Sequence, residues 1–250
     1  MTSRTLADSG VVHRVRARWA TWCLILGAVT NVAFLLEGYV GARLDRTMSF
    51  VSELGSRGEP AALYFRTSDL ATGILLFIGA VALWALLPAN LALRLGVAAS
   101  MVFAVLTGAD AFLPLDCAPT VDAVCRAAED AGQVSWQHAA HNVTGVVESV
   151  AASAAMLLIA WGVWLLQRRQ ALSGSWESVW QQLVVFGALY TALSITLAVM
   201  YLVEMGPIGT VQRVQIVLYA AGMFTLGLAA RIRRVSIPGE STRSEGDHHE

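Results

Sequence analysis

Six apolar runs, each long enough to cross a bilayer, leave this chain few folds to choose from. A hydrocarbon core ~30 Å thick needs about 20 helical residues. The runs cover residues 19–40, 70–87, 91–113, 139–166, 179–205 and 211–230. They are continuous rather than alternating in polarity, which fits helices and not a membrane barrel. Only Pro88, Ala89 and Asn90 separate the second run from the third, so those two form an antiparallel pair. The expected fold is therefore all-α, a polytopic membrane helix bundle with six transmembrane helices in a domain spanning 19–232. Residues 1–18 form a cytoplasmic segment before it. Residues 233–250, poor in apolar side chains, are expected to be a disordered cytoplasmic tail.

Charge placement sets the expected orientation. Only 14% of the chain is charged, against roughly 25% in soluble domains. The 17 basic residues are all arginine, and with 18 acidic ones the net charge is −1. That balance gives no attraction to nucleic acid. A cytoplasmic N-terminus puts eleven arginines inside, among them Arg14, Arg16, Arg18, Arg94, Arg168 and Arg231. Six stay outside: Arg43, Arg46, Arg57, Arg66, Arg126 and Arg213. The positive-inside rule then favours both termini in the cytoplasm. The first run exceeds the roughly 7–15 residues of a signal-peptide core and lacks a small-residue cleavage site after it, so it reads as a retained anchor. Arginine-only, alanine-rich usage suggests a high-GC actinobacterium. The expected location is the bacterial cytoplasmic (plasma) membrane, with membrane lipids as partners.

Charged side chains within spans are candidates for function. At 1.5 Å per residue, Glu37, Asp110, Glu148 and Glu204 lie about 24–36 Å above the inner edge of their helices, at the level of Arg213. Two readings stand side by side. In one, these are helix-end charges whose side chains snorkel into water. In the other, they converge on an outward-facing polar pocket, with Arg213 compensating the carboxylates. His138, His141, Gly145 and Glu148 share one helical face. Ser49, Ser52, Glu53 and Asp69 can reach the same end. The pocket set is Glu37, Ser52, Asp110, His138, His141, Glu148, Glu204 and Arg213.

A His-x-x-His pair can also ligate zinc. His138 and His141 would then be joined by Asp110 or Glu148, or by Asp116. Cys117 and Cys125 lie in the loop between the third and fourth runs. If that loop is outside, they form a disulfide, whose closure contributes about 2.5 kcal/mol in the chain-entropy model. The alternative is a Cys/His metal site with the same histidines. The loop is acidic and reads as a tethered lid. There is no Gly-x-Ser-x-Gly, phosphate loop or dinucleotide fingerprint, and no catalytic residue is assigned.

Three clusters carry a resemblance. They are Ser52-Glu53-Leu54-Gly55 with Pro60 through Gly73, Asp110 through Asp116 with the Cys117/Cys125 loop and His138/His141, and Gly206-Pro207-Ile208-Gly209 with Gln212-Arg213. Together they resemble the bacterial membrane family named domain of unknown function 998, DUF998, over about residues 17–232. The resemblance implies a six-helix fold and brings no established activity. A looser similarity reaches the alkaline ceramidase and adiponectin-receptor-type hydrolases, although six spans replace seven and the C-terminal His-x-x-x-His is absent. The expected function is binding of a lipid head group or small polar ligand at the extracytoplasmic face. A zinc-dependent hydrolase of a lipid amide or ester is the alternative. A transporter or channel comes third, because the inner halves of the runs offer no continuous polar path.

Overall fold

The computed structural model describes residues 3–88, 90–171, 176, 178–204 and 206–231, with side chains from residue 11 onward. The expected tail, 233–250, lies outside the described residues. Among them are seven α-helices and no strand. They are α1 (Ser3–Asn31), α2 (Ala62–Leu86), α3 (Leu91–Asp110), α4 (Ala123–Asp130), α5 (Trp136–Arg168), α6 (Val179–Leu202) and α7 (Ile208–Arg231).

Five of these helices, α2, α3, α5, α6 and α7, are long and apolar enough to cross a membrane. Helix α1 differs because Arg14, Arg16 and Arg18 interrupt its first half. The expected continuous helix over 19–40 also ends early. Past Asn31 the chain tightens into a 3-10 turn, Ala33–Leu36, and reverses at Gly41, whose φ is +81°. Pro60 stands in the turn before Ala61, which precedes the first residue of α2.

Helix starts follow local chemistry. Asn90 accepts a hydrogen bond from the Leu93 amide at 2.9 Å, and Ser135 accepts one from that of His138 at 3.3 Å. These side chains satisfy amides that an α-helix leaves open at its N-terminus. At the end of α2, Arg94 donates to the Trp84 carbonyl at 2.6 Å and lies over the Trp84 ring.

The long helices run alternately up and down in a closed ring, ordered α1, α2, α3, α5, α6, α7 and back to α1. Glycines set several of the close approaches. A Cβ at Gly73 would stand 2.6 Å from Gly108 backbone on α3, and one at Gly162 would stand 2.7 Å from Leu93. Gly227 likewise admits the Thr21 carbonyl of α1 to α7. Small residues at such crossings let backbones touch, which favours helix association in lipid. The half of the ring nearest the chain termini is packed solid by Leu83, Leu93, Ile159, Val163, Leu183 and Leu226. Outward faces carry exposed apolar side chains such as Val105, Val185 and Leu228. The opposite end is covered by the loops 32–61 and 111–135, the second of which contains α4.

Gly162→Ala should lower the thermal midpoint, since crowding a packed interface costs about 1–3 kcal/mol. Gly145→Ala, whose Cβ meets nothing within 4 Å, should leave the midpoint equal or slightly higher, because alanine is the better helix former. Thermal unfolding of both variants in one detergent checks the pair.

Candidate functional site

Two buried carboxyls, Glu37 and Glu53, and a half-buried one, Asp116, build the cap. Glu37 follows the 3-10 turn and is almost wholly buried. It pairs with Arg46 at 3.0 Å and with Arg213 at 2.7 Å. Arg213 also donates to the carbonyls of Arg46, Ser49 and Gly209 at 2.8, 2.9 and 3.1 Å. This contact requires Gly209, where a Cβ would fall 2.3 Å from the Ser49 carbonyl. One helical turn supplies a second clasp, because Gln212 accepts the Val51 amide at 2.6 Å. The Gly209…Gln212-Arg213 cluster thus fastens the first loop to α7.

Glu53 is fully buried in a second 3-10 turn, Ser52–Gly55. Its carboxyl accepts the amides of Phe50 and Thr120, each at 2.9 Å, and the Thr120 hydroxyl. Burial pushes its pKa from 4.5 up to about 7, against the opposing pull of those hydrogen bonds. Asp116 closes the third junction. It accepts the Ser135 amide at 2.6 Å, the Ser135 hydroxyl at 2.8 Å and Arg57 at 2.8 Å. Partial burial opposes ionisation there, but the Ser135 hydrogen bonds, Arg57 and His138 outweigh it and hold Asp116 below the usual carboxylate range. Asp45 is held low as well, by Thr47 and the Met48 amide.

Cys117 and Cys125 form a disulfide that ties the second loop to α4. Asp122 accepts the amides of Val124 and Cys125 at the start of that helix. From α4, Glu129 accepts the Tyr201 hydroxyl of α6 at 2.7 Å and Asn142 of α5, while Arg126 lies over the Tyr201 ring. The acidic loop is thus an ordered cap locked to both helices.

Beneath the cap lies a cavity of about 580 Å³, to which all seven helices contribute. Its floor is aromatic. The rings of Phe103 and Tyr219 meet at a 43° tilt with centroids 4.2 Å apart, and Tyr190 lies 6.0 Å from Tyr219. Below them begins the solid apolar half. Five carboxyl residues line the cavity: Asp69, Asp110 and Glu148 on its walls, Glu53 and Glu129 beneath the cap. No arginine is among the lining residues. Asp110 accepts the Thr144 hydroxyl at 2.6 Å and lies 3.7 Å from His141. Asp69, Asp110 and Glu148 are close enough for their charges to interact.

The family comparison covers most of this architecture. A family model described as protein of unknown function (DUF998) matches residues 24–229. The chain belongs to the DUF998 family. No curated protein and no solved structure is significantly similar to it. The matched region of this DUF998 chain holds the ring from within α1 to near the end of α7, with the cap and the cavity.

The sequence-derived pocket residues separate into groups. Ser52, Asp110, His141 and Glu148 line the cavity. Glu37 and Arg213 neutralise each other next to it, and Arg213 reaches it only through the ring of Phe34, 5.8 Å away. His138 is fully buried beneath the cap, where its Nδ1 accepts the Asp116 amide at 3.2 Å and its Nε2 lies 3.6 Å from Glu129. Glu204 is exposed beyond the end of α6, at 3.9 Å from Arg126. His141 Nδ1 faces the Leu113 carbonyl at 2.9 Å. The two histidines therefore serve different partners. Among the described residues, no three His, Cys, Asp or Glu side chains converge as a metal-ligating set. A preformed zinc site does not fit this arrangement.

Glu129, Tyr201 and Tyr219 went unselected in the sequence. Glu129 reads there as one more acid of an exposed loop, and the tyrosines as ordinary packing residues. Asp69, a charge at the entry of an apolar run, carried the clearest signal.

Two outcomes test this construction. Arg213→Ala removes a cation from beside a buried carboxylate, a loss of about 3–5 kcal/mol where such pairs are broken. It should unfold well below the parent, with Glu37→Gln milder. Glu53, raised from 4.5 to about 7, holds a proton in the folded chain that the unfolded chain releases between those values. Its contribution is fully present below pH 4.5 and is lost as pH rises through 7. The thermal midpoint should fall from pH 5.5 to pH 8, and Glu53→Gln should flatten that slope.

Proposed function

We propose that this DUF998 chain is a six-span bacterial cell-membrane protein whose capped cavity takes up a lipid head group or small polar ligand at the extracytoplasmic face. The observation that carries this reading is the cavity: about 580 Å³, within the size range of ligand pockets, with a few polar groups on a mainly apolar lining. Helix α1 serves as the sixth span because it closes the ring between α7 and α2. Its outward residues Trp22, Leu26 and Val29 are exposed, as is Leu35 just beyond it, which suits a lipid cover. Arginines gathered at the terminal end favour cytoplasmic termini. The disulfide at the capped end fits an oxidising exterior.

The pocket reading is favoured over the helix-end reading by Asp110 and Glu148. Both line the enclosed space instead of facing outward. The protein extracted in mild detergent should carry a bound small molecule or lipid in native mass spectrometry. Asp110→Ala with Glu148→Ala should lose it while remaining folded. Retention of the same adduct by that variant would sink the pocket reading. For orientation, a membrane-impermeant maleimide should label Tyr39→Cys on intact cells and Ser241→Cys only after lysis. The reverse pattern would overturn the topology.

A further inference from the structure

The cavity has a side opening. Of all the residues that line it, the exposed ones are Asn142, Val146 and Val150 of α5 and Ile195 and Ala198 of α6. Every lining residue from the other elements is buried or half-buried. Nearer the terminal end the same two helices are in close contact, where a Cβ at Gly187 would come within 3.1 Å of Met156. Nearer the cap, a Cβ at Gly145 of α5 would meet nothing within 4 Å. Exposed valine, isoleucine and alanine at the mouth make it apolar. An apolar mouth on the lateral face of a membrane bundle opens to acyl chains and not to water.

The interior calls for positive charge and for hydrogen bonds. Asp69, Asp110 and Glu148 approach one another from three helices with no arginine facing the cavity, and the one basic side chain in the lining, His141, lies 3.7 Å from Asp110 and turns its Nδ1 to the Leu113 carbonyl. Carboxylates brought together out of water repel unless a positive charge or protons offset them. A second observation comes from the hydroxyls. Tyr219 is 1% exposed and Thr107 7% exposed, and both line the cavity; Tyr219 lies against Ser100 and Thr107 against Glu148, but neither hydroxyl reaches a partner in hydrogen-bonding geometry. Glu148 Oε1 is buried beside Asp110 and Thr107 and likewise lacks a bond of good geometry. Buried polar atoms without partners are rare because each costs about 1–3 kcal/mol. The aromatic floor adds ring faces that attract a cation.

We infer that the occupant is an amphipathic amine, a protonated amino group on an apolar chain, which enters from the bilayer between α5 and α6. This rests on the ligand-binding reading above and names the ligand's chemistry. The ammonium sits among Asp69, Asp110 and Glu148, and a primary ammonium offers three N–H donors. Hydroxyl or amide groups next to the amine meet Thr107 and Tyr219. The chain leaves past Gly145, Val146 and Ile195 into lipid.

The test uses the full chain in maltoside detergent, titrated with dodecylamine, dodecyl phosphate, dodecanol and methylamine. Thermal shift and native mass spectrometry are the readouts. Dodecylamine should raise the midpoint and give a one-to-one adduct, while dodecyl phosphate should do neither. Asp110→Asn with Glu148→Gln should weaken dodecylamine at least tenfold. Gly145→Leu, which fills the opening without touching the packed half, should weaken it similarly with an unchanged midpoint in the absence of amine. Dodecyl phosphate or dodecanol binding as well as the amine, with loss in the Glu148→Gln background, would overturn the cation and leave the pocket reading standing. Methylamine binding as tightly as dodecylamine, indifferent to Gly145→Leu, would overturn lateral entry. Dodecylamine binding that neither variant alters is surfactant adsorption and overturns the inference. No binding by any probe, with no native adduct, overturns both readings.

Discussion

A carboxylate removed from water must be given hydrogen bonds or positive charge, and this requirement organises the capped end of the molecule. Glu37 and Glu53 are buried in the first loop and Asp116 is half-buried in the second, and each meets the requirement by reaching into another stretch of chain. Glu37 takes Arg213 from the last helix, Glu53 takes Thr120 from the disulfide loop, and Asp116 takes Arg57 from the first loop and Ser135 from the start of α5. The first loop adds a small apolar cluster, Phe34, Leu54 and Ala61 against Phe65 of α2. The order of both loops comes from these junctions and that cluster, with the disulfide and the Glu129 contacts fixing α4 on top.

Within a few ångströms the same chemistry is left incomplete. Thr144 gives Asp110 one hydrogen bond, but Asp69 and Glu148 meet neither arginine nor a full set of donors. That contrast separates carboxyls that fasten the cap from carboxyls that line the cavity. It also explains why arginine is plentiful in the cap yet missing from the cavity: Arg46, Arg57 and Arg213 are all engaged in holding loops. An arginine facing Glu148 would remove the charge deficit on which the proposed ligand site rests.

Much of the bundle was legible because lipid-facing helices must be apolar over their whole length. Five apolar runs correspond to long helices whose ends shift by a few residues, by eight at the start of α2. The capped end of α1 was not legible, since Ala33–Leu36 is as apolar as a helix but forms a 3-10 turn. For the site, axial rise placed Glu37, Asp110, Glu148, Glu204 and Arg213 at one height, and height alone says nothing about which way a side chain faces. Asp110 and Glu148 face inward, Glu204 faces out, and Glu37 is already satisfied by Arg213. The approach of Glu129 to the cavity depends on how α4 docks, which no local pattern in the chain encodes.

The position of the opening follows from where close packing stops. Around the ring, α1 meets α2 at Gly27 and Gly79, α2 meets α3 at Gly73, α3 meets α5 at Gly96 and Gly162, and α7 meets α1 at Gly227. At each, an added methyl would strike a neighbouring atom at 3.0 Å or less. The α5–α6 pair has such a contact only toward the terminal end, at Gly187. Nearer the cap, Gly145 faces open space, while Ser149 and Ser153 turn their hydroxyls back onto their own helix at Gly145 and Ser149. The α6–α7 pair also lacks such a contact, since a Cβ at Gly222 would stand 3.5 Å from Leu183, but its cavity-lining residues toward α7 are buried or half-buried. Open space at Gly145 and exposed lining residues coincide along the α5–α6 seam, beside the carboxyls of the cavity, and that coincidence, not the glycine contacts alone, marks the seam.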